Sequence, residues 1–148
     1  MSNRPKYFSI HELADPSIIA EHGEEATWAM LNPKLFPALD WLREKFGPLL
    51  INGRGYKESG LRRADTKTGS PRSAHKRGEA DDIKPLTKGV TVQKMYAFIL
   101  ENEAEAMSKG ITELEDIRDT TTSNPYGGWL HISCRSTGIP NKIKIIRP

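Results

Sequence analysis

The chain has four histidines, and one of them stands in an odd stretch. "SAHKRGEADDI" (73–83) has no helical stripe and no strand alternation until its end. His75 precedes a carboxylate, Asp82, by seven positions, with Gly78 and Ala80 between them. Far downstream, "GWLHISC" (128–134) carries His131. Strand alternation there puts Trp129, His131 and Ser133 on one face and Leu130, Ile132 and Cys134 on the other. The second face reads as core. The first, a histidine between an aromatic and a hydroxyl, is either solvent-facing or a site. Two imidazoles and a carboxylate can make up the three protein ligands of a catalytic zinc, which keeps its fourth position open. A His-x6-Asp pair alone is a weak signal, and an ordinary half-exposed strand histidine is the plain alternative for His131. The longer pattern S-x-H-x-x-G-x-A-x-D-I, followed by W-x-H, is far more specific. Gly78 lets the backbone turn between the two ligands, Ala80 is small enough to sit beneath a metal, and Ile83 points to the opposite face and anchors the strand.

Composition narrows the chemistry. Cys134 is the single cysteine, so an internal disulfide and a Cys-rich metal site are both excluded. Any metal must use histidine and carboxylate ligands. At 148 residues one domain spanning 1–148 is expected, long enough to bury a core without staples. No run approaches the roughly 18 apolar residues of a membrane span. The N-terminus "MSNRPKYFSIHELADP" has no apolar segment of the signal-peptide kind, so nothing marks it for export. Net charge is +3 and the pI about 9.0, but the charge is uneven. Between Arg54 and Arg77 basic residues far outnumber the two acids, Glu58 and Asp65. Such a loop suits nucleic acid, an anionic surface or an acidic substrate, or is simply solvated.

The elements that must position these residues read as follows. "FSIHELADPSIIAEHG" predicts a short helix, or two, with Ser9 as N-cap. "NPKLFPALDWLREKFG" predicts an amphipathic helix with Leu35, Leu39, Leu42 and Phe46 at helical spacing and Gly47 at its end. "PLLING" reads as a short strand. The basic Gly/Ser/Pro loop follows, long enough to demand a function or a reassignment. "ADDIKP" predicts a strand, and "TVQKMYAFILENEAEAMSKG" one long helix from Thr91 to Gly110. "EDIRDT" and "GWLHISC" read as strands, and "NKIKIIRP" alternates like an edge strand. The order predicts an α+β fold: a mainly antiparallel sheet, N-terminal helices and one long helix packed against it.

The quoted motifs resemble those of the zinc peptidases of bacterial cell-wall peptides. These are the D-alanyl-D-alanine carboxypeptidases and the L-alanyl-D-glutamate endopeptidases of phage endolysins, whose fold the Hedgehog signalling domain shares. "SGLR" (59–62) is similar to the family's "SGYR", and "SAHKRGEADDI" and "WLHIS" match its two histidine motifs. "FSIHELADP" and "LDWLREKFGPLLING" resemble the lead-in of phage and bacterial members. The resemblance covers most of the chain. It implies a Hedgehog/DD-peptidase-like fold and one zinc ion per chain held by His75, Asp82 and His131. The choice of Asp82 over Asp81 rests on the family spacing. One position departs from a common pattern. Many members carry a catalytic acid three residues before the second histidine, where this chain has Gly128. Other members place it at the end of the preceding strand, where "EDIRD" ends in Asp119. With Ile117 and Asp119 on one strand face, Asp119 is the expected general base, with Glu115 and Asp116 as rivals and a plain charged strand edge as the structural alternative.

The implied reaction is hydrolysis of peptidoglycan stem-peptide amide bonds. Zinc lowers the pKa of its water toward about 7 and polarises the scissile carbonyl. Asp119 would move the proton, and Arg62 would face a substrate carboxylate or the developing oxyanion. Ser73 would orient a ligand from behind, with Trp129 and Ser133 beside the site or the substrate. The resemblance further implies a monomer that stays in the cytoplasm until lysis or rides in a virion. Two other classes stay open. One is a catalytically silent zinc protein of the same fold. The other is a nucleic-acid-binding module, disfavoured because the basic loop lacks interleaved aromatics apart from Tyr56.

Overall fold

A computed structural model describes residues 4–66, 72–120 and 124–147. Residues 67–71 of the basic loop lie outside the described residues. Among the described residues, seven short helices and five strands follow one another. The N-terminal stretch forms α1 (Ile10–Leu13), α2 (Pro16–His22) and α3 (Glu24–Ala29). Glu12 accepts the Ser9 N–H at 2.7 Å, which satisfies a donor that the start of α1 leaves free. Asp15 accepts the Ser17 N–H at 2.8 Å and caps α2, with Pro16 at its first position. A 3-10 turn, Pro33–Leu35, leads into α4 (Phe36–Phe46). Leu35, Leu39 and Leu42 are buried as their spacing predicts, and Phe46 packs on Phe98.

The sheet has the order β1-β2-β4-β3-β5, from β1 (Leu49–Leu50), β2 (Ala80–Pro85), β3 (Glu113–Glu115), β4 (Leu130–Ser133) and β5 (Lys144–Ile146). The pairs β1–β2, β2–β4 and β3–β4 are antiparallel, but β3–β5 is parallel. The sheet is therefore mixed, which corrects the expectation of a mainly antiparallel one. The reason is topological. β4 is flanked on both sides, by β2 and β3, so the chain that leaves it must turn back and add at the far edge of β3. One reversal after an antiparallel neighbour gives β3's own direction.

Two further expectations are corrected. The long helix is two, α5 (Val92–Glu101) and α6 (Glu103–Ser108). Asn102 breaks it at φ −123° and ψ 42°. Its side-chain amide donates to the Phe98 carbonyl at 2.9 Å, a local bond that competes with helical propagation. "EDIRDT" is not a strand beyond its first residue: β3 ends at Glu115 and a helical turn, α7 (Ile117–Thr120), follows. Asp116 causes the switch. Its carboxylate accepts the Arg118 N–H at 2.9 Å and its carbonyl the Asp119 N–H at 2.9 Å.

Alternation divides the sheet into two faces. Ile83, Leu114, Leu130 and Ile132 point to a core shared with Leu39 and Leu42 of α4 and Val92, Met95 and Ile99 of α5. Ala80, Asp82 and Lys84 of β2, His131 and Ser133 of β4, and Glu113 and Glu115 of β3 share the opposite face. No helix among the described residues is long and apolar enough to cross a membrane.

Candidate metal centre

Each half of the ligand pattern is set by its own local structure. Ser73 caps a 3-10 turn, Ala74–Arg77, by accepting the His75 N–H at 3.3 Å. Gly78 ends that turn at φ 69°, where a Cβ would lie 2.3 Å from the Met30 carbonyl oxygen. Both the left-handed backbone and the close approach call for glycine. β2 then starts at Ala80, and alternation turns Asp82 to the site and Asp81 to the opposite face. Strand register supplies the third residue: Asp82 pairs with His131 directly across β2 and β4.

The side chains converge. His75 Nε2 lies 3.2 Å and His131 Nδ1 2.8 Å from Asp82 Oδ1, and the imidazole centroids are 5.1 Å apart. One ligand atom from each residue falls within 4.8 Å of the others, a grouping that could hold a metal ion. The "SGLR" segment braces it. The Asp82 N–H donates to the Ser59 carbonyl at 2.7 Å and the Arg62 N–H to the His75 carbonyl at 3.1 Å. His75 Nδ1 lies 3.0 Å from the Gly60 carbonyl oxygen. That acceptor fixes Nδ1 as the protonated nitrogen and frees Nε2 as a ligand atom, the outer support that metal-bound imidazoles usually have. A Cβ on Gly60 would stand 2.2 Å from the Leu13 carbonyl oxygen. Arg62 Nη2 sits 3.5 Å from Asp82 Oδ2, so the two carboxylate oxygens are divided between the imidazoles and the guanidinium.

Electrostatics follow from this packing. Burial works against an ionised Asp82, but the charge of His75 and the hydrogen bond from His131 outweigh it and hold the carboxyl well below the usual range. Burial also works against a charged His131. The hydrogen bond and charge of Asp82, with Glu115 and Glu113 behind, raise its pKa nonetheless. Asp81, buried on the core face, is pushed well up by desolvation.

Two cavities meet at the cluster. The larger, about 660 Å³, is walled by Tyr56, Ser59, Arg62, Asp82, Lys84 and Trp129, with Asp15, Lys57, Glu58 and Asn124 among its other residues. The smaller, about 390 Å³, holds Ser73, His75, Asp82, Glu113, Glu115 and His131, with Arg62, Arg72, Trp129 and Arg135 around them. Arg62, Asp82 and Trp129 line both, so the two cavities adjoin at the candidate ligand cluster.

The expected base is elsewhere. Asp119 lies on the helical turn, and its carboxylate accepts two hydrogen bonds from Arg147, both at 2.9 Å. Those bonds hold its carboxyl below the ordinary value, and Asp119 lines neither cavity. The rival Asp116 is committed to Arg118. Glu115 is the acid the fold brings in. The β3–β4 register, continued by one position, sets it level with His131, and it lines the smaller cavity. Burial raises its pKa, opposed in part by the charge of His131 and a hydrogen bond from Trp129. Of the two places expected for Ser133, beside the site or against the substrate, its full burial leaves the first, and its hydroxyl accepts the Arg135 N–H at 3.1 Å.

Sequence reasoning missed Lys84, Glu113 and Arg135. Glu113 is buried, with Arg135 Nε 2.8 Å from its Oε1. Period-two alternation in "ADDIKP" carries the Asp82 face on to Lys84, and in "ELE" it puts Glu113 beside Glu115, so both signals were present. The chain was compared with protein-family models, with curated proteins and with solved structures, and none of the three gives a match.

Proposed function

We propose that the chain is a zinc-dependent peptidase of the Hedgehog/DD-peptidase type that hydrolyses amide bonds in bacterial cell-wall stem peptides. The observation that carries the reading is the convergence of His75 Nε2, Asp82 Oδ1 and His131 Nδ1 at the junction of two cavities, with His75 Nδ1 tied to Gly60. Two neutral imidazoles and a carboxylate suit zinc and leave room for a fourth ligand. Zinc, when bound, supplies Lewis-acid polarisation and a more acidic water.

The chain's own residues supply the rest. A Glu115 carboxylate oxygen takes a proton from the attacking water and passes it to the leaving amine nitrogen. A half-buried carboxyl with a raised pKa is better matched to that exchange near neutral pH than the depressed Asp119. Arg62, on the wall of both cavities, offers a planar guanidinium to a substrate carboxylate or to negative charge developing on the scissile carbonyl oxygen. The Gly60 carbonyl holds the His75 ring in place, and Ser73 caps the turn that carries it. The cell-wall substrate class comes from the motif resemblance, and Arg62, on both cavity walls, offers a partner to the free carboxylates that stem peptides carry.

The test is digestion of purified peptidoglycan followed by mass spectrometry of the fragments. Peptide-bond cleavage that a chelator abolishes and added zinc restores is the expected result. Full zinc occupancy with intact peptidoglycan would overturn the reading in favour of a silent zinc protein. Cleavage indifferent to chelation would remove the metal from it.

A further inference from the structure

The larger cavity contains a buried cation that the chemistry above leaves unused. Lys84 is 1% exposed and shares the strand face of Asp82. Its Nζ donates to Ser59 Oγ at 2.9 Å and to the Asp82 main-chain oxygen at 3.4 Å, and stands 4.2 Å over the ring of Tyr56. All three partners are neutral. The one site-facing carboxylate nearby, Asp82, is divided between the imidazoles and Arg62. Of the other acids on the cavity wall, Asp15 is turned to the N–H and hydroxyl of Ser17, and no ion pair among the described residues joins Glu58 to Lys84. Asp82 and Asp81 attract the ammonium without an ion-pair contact to it among the described residues, and a buried ammonium bonded only to neutral groups is costly. The cost is recovered when a ligand brings the anion.

The cavity is shaped for such a ligand. Arg62 and Lys57 add positive charge, and Tyr56 and Trp129 give apolar walls. We propose that Lys84 is a specificity-determining residue: its Nζ, held by Ser59, anchors a carboxylate in the larger cavity and selects substrates that carry a free carboxylate beside the bond to be cut. The word substrate rests on the peptidase reading. The carboxylate site itself does not.

The test uses the zinc-loaded protein with its metal content measured. Glutarate and its neutral diamide are titrated by calorimetry. Wild type should bind glutarate and not the diamide. Lys84→Met should lose affinity for glutarate by about 10- to 100-fold, the range for a hydrogen bond to a charged group, while Lys84→Arg should retain most of it. Equal binding of the two probes by wild type overturns the proposal, and needs no variant to fold. Undiminished glutarate binding by a folded Lys84→Met, checked by its melting curve, also overturns it, since the metal or Arg62 would then be the anchor. In parallel, kcat/KM is measured on two matched peptide pairs, one amidated at the C-terminus and one with glutamine for glutamate. The pair that shows a carboxylate preference tells a terminal carboxylate from a side-chain one, and Lys84→Met should bring that preference to near unity. Absence of any hydrolysis would sink the peptidase reading alone and leave the glutarate result standing. Hydrolysis with a preference unchanged in Lys84→Met would sink the Lys84 assignment alone.

Discussion

Asp82 and His131 face each other across two antiparallel strands, with Oδ1 of the one 2.8 Å from Nδ1 of the other. The contact is made by backbone register, so the two side chains meet without any loop having to order itself. His75 is the member of the cluster that a loop must deliver, and Ser73, Gly60 and Gly78 are the residues that deliver it. Removal of either imidazole should therefore act on metal content before it acts on fold. Purified protein is expected to hold close to one zinc per chain, and His75→Ala and His131→Ala to lose most of it, as measured by elemental mass spectrometry. A variant that keeps full occupancy would remove that residue from the ligand set.

Glu115→Gln should leave zinc content near wild type and lower peptidoglycan hydrolysis by about 10²–10⁴-fold, the usual contribution of a general base. Asp119→Asn severs a contact with Arg147 outside both cavities and should stay within a few-fold of wild type in the same assay. The opposite ranking would return the base to Asp119 and would require the helical turn at 117–120 to rearrange.

How the sequence could mislead at this point, and not at Asp82, has a physical explanation. The placing of Asp82 of β2 beside His131 was legible because alternation and spacing are local properties of an uninterrupted strand. "EDIRDT" has a single apolar residue, Ile117, too little to fix a period, and Asp116 offers its carboxylate to the Arg118 N–H and converts the segment into a turn. Side-chain capping of this kind decides between two conformations that periodicity scores alike. The parallel β5 edge was illegible for another reason: which strand edge lies open depends on the whole sheet, not on "KIKII". The helices of 36–46 and 92–101 were readable because their apolar spacing extends over several turns.

The pH dependence of the metal-free protein follows from the same pair. The pKa of His131 is raised in the fold above its unfolded value of about 6.5. Its contribution to stability is fully present below that value and is lost as pH rises through the folded one. That of Asp82, depressed in the fold, is present above the unfolded value of about 3.9 and is lost only as pH falls through its lower folded one. Chelator-treated protein should thus melt at a lower temperature at pH 7.5 than at pH 6. Zinc competes with the proton on His131, so its affinity should begin to weaken above pH 6.5 as pH falls, with proton release visible as buffer-dependent heats in calorimetry. Flat zinc affinity from pH 8 to pH 5 would argue against histidine ligands.

Gly60→Ala places a methyl against the Leu13 carbonyl oxygen, a backbone atom that cannot swing aside. The expected cost is about 1–3 kcal/mol, a fall of several degrees in melting temperature for a chain of this size. Because the Gly60 carbonyl also orients His75, zinc affinity should fall as well. Gly23→Ala, where a Cβ meets nothing within 4 Å although φ is 85°, should cost stability without touching the metal. Equal zinc affinities in the two variants would show that Gly60 does not position the ligand.

The β2–β4 pairing joins residues 49 positions apart in the chain. An ion gripped by His75 and Asp82 on one side and His131 on the other would close the intervening segment into a ring, in a protein whose single cysteine allows no covalent one. Closing a ring of that size removes far more conformational freedom from the unfolded chain than from the folded one. The ion would then serve as a reversible cross-link. Its departure would restore that freedom to the unfolded chain and lower the stability of the whole fold, so the chelated protein should be cut by an added protease faster than the zinc-loaded one.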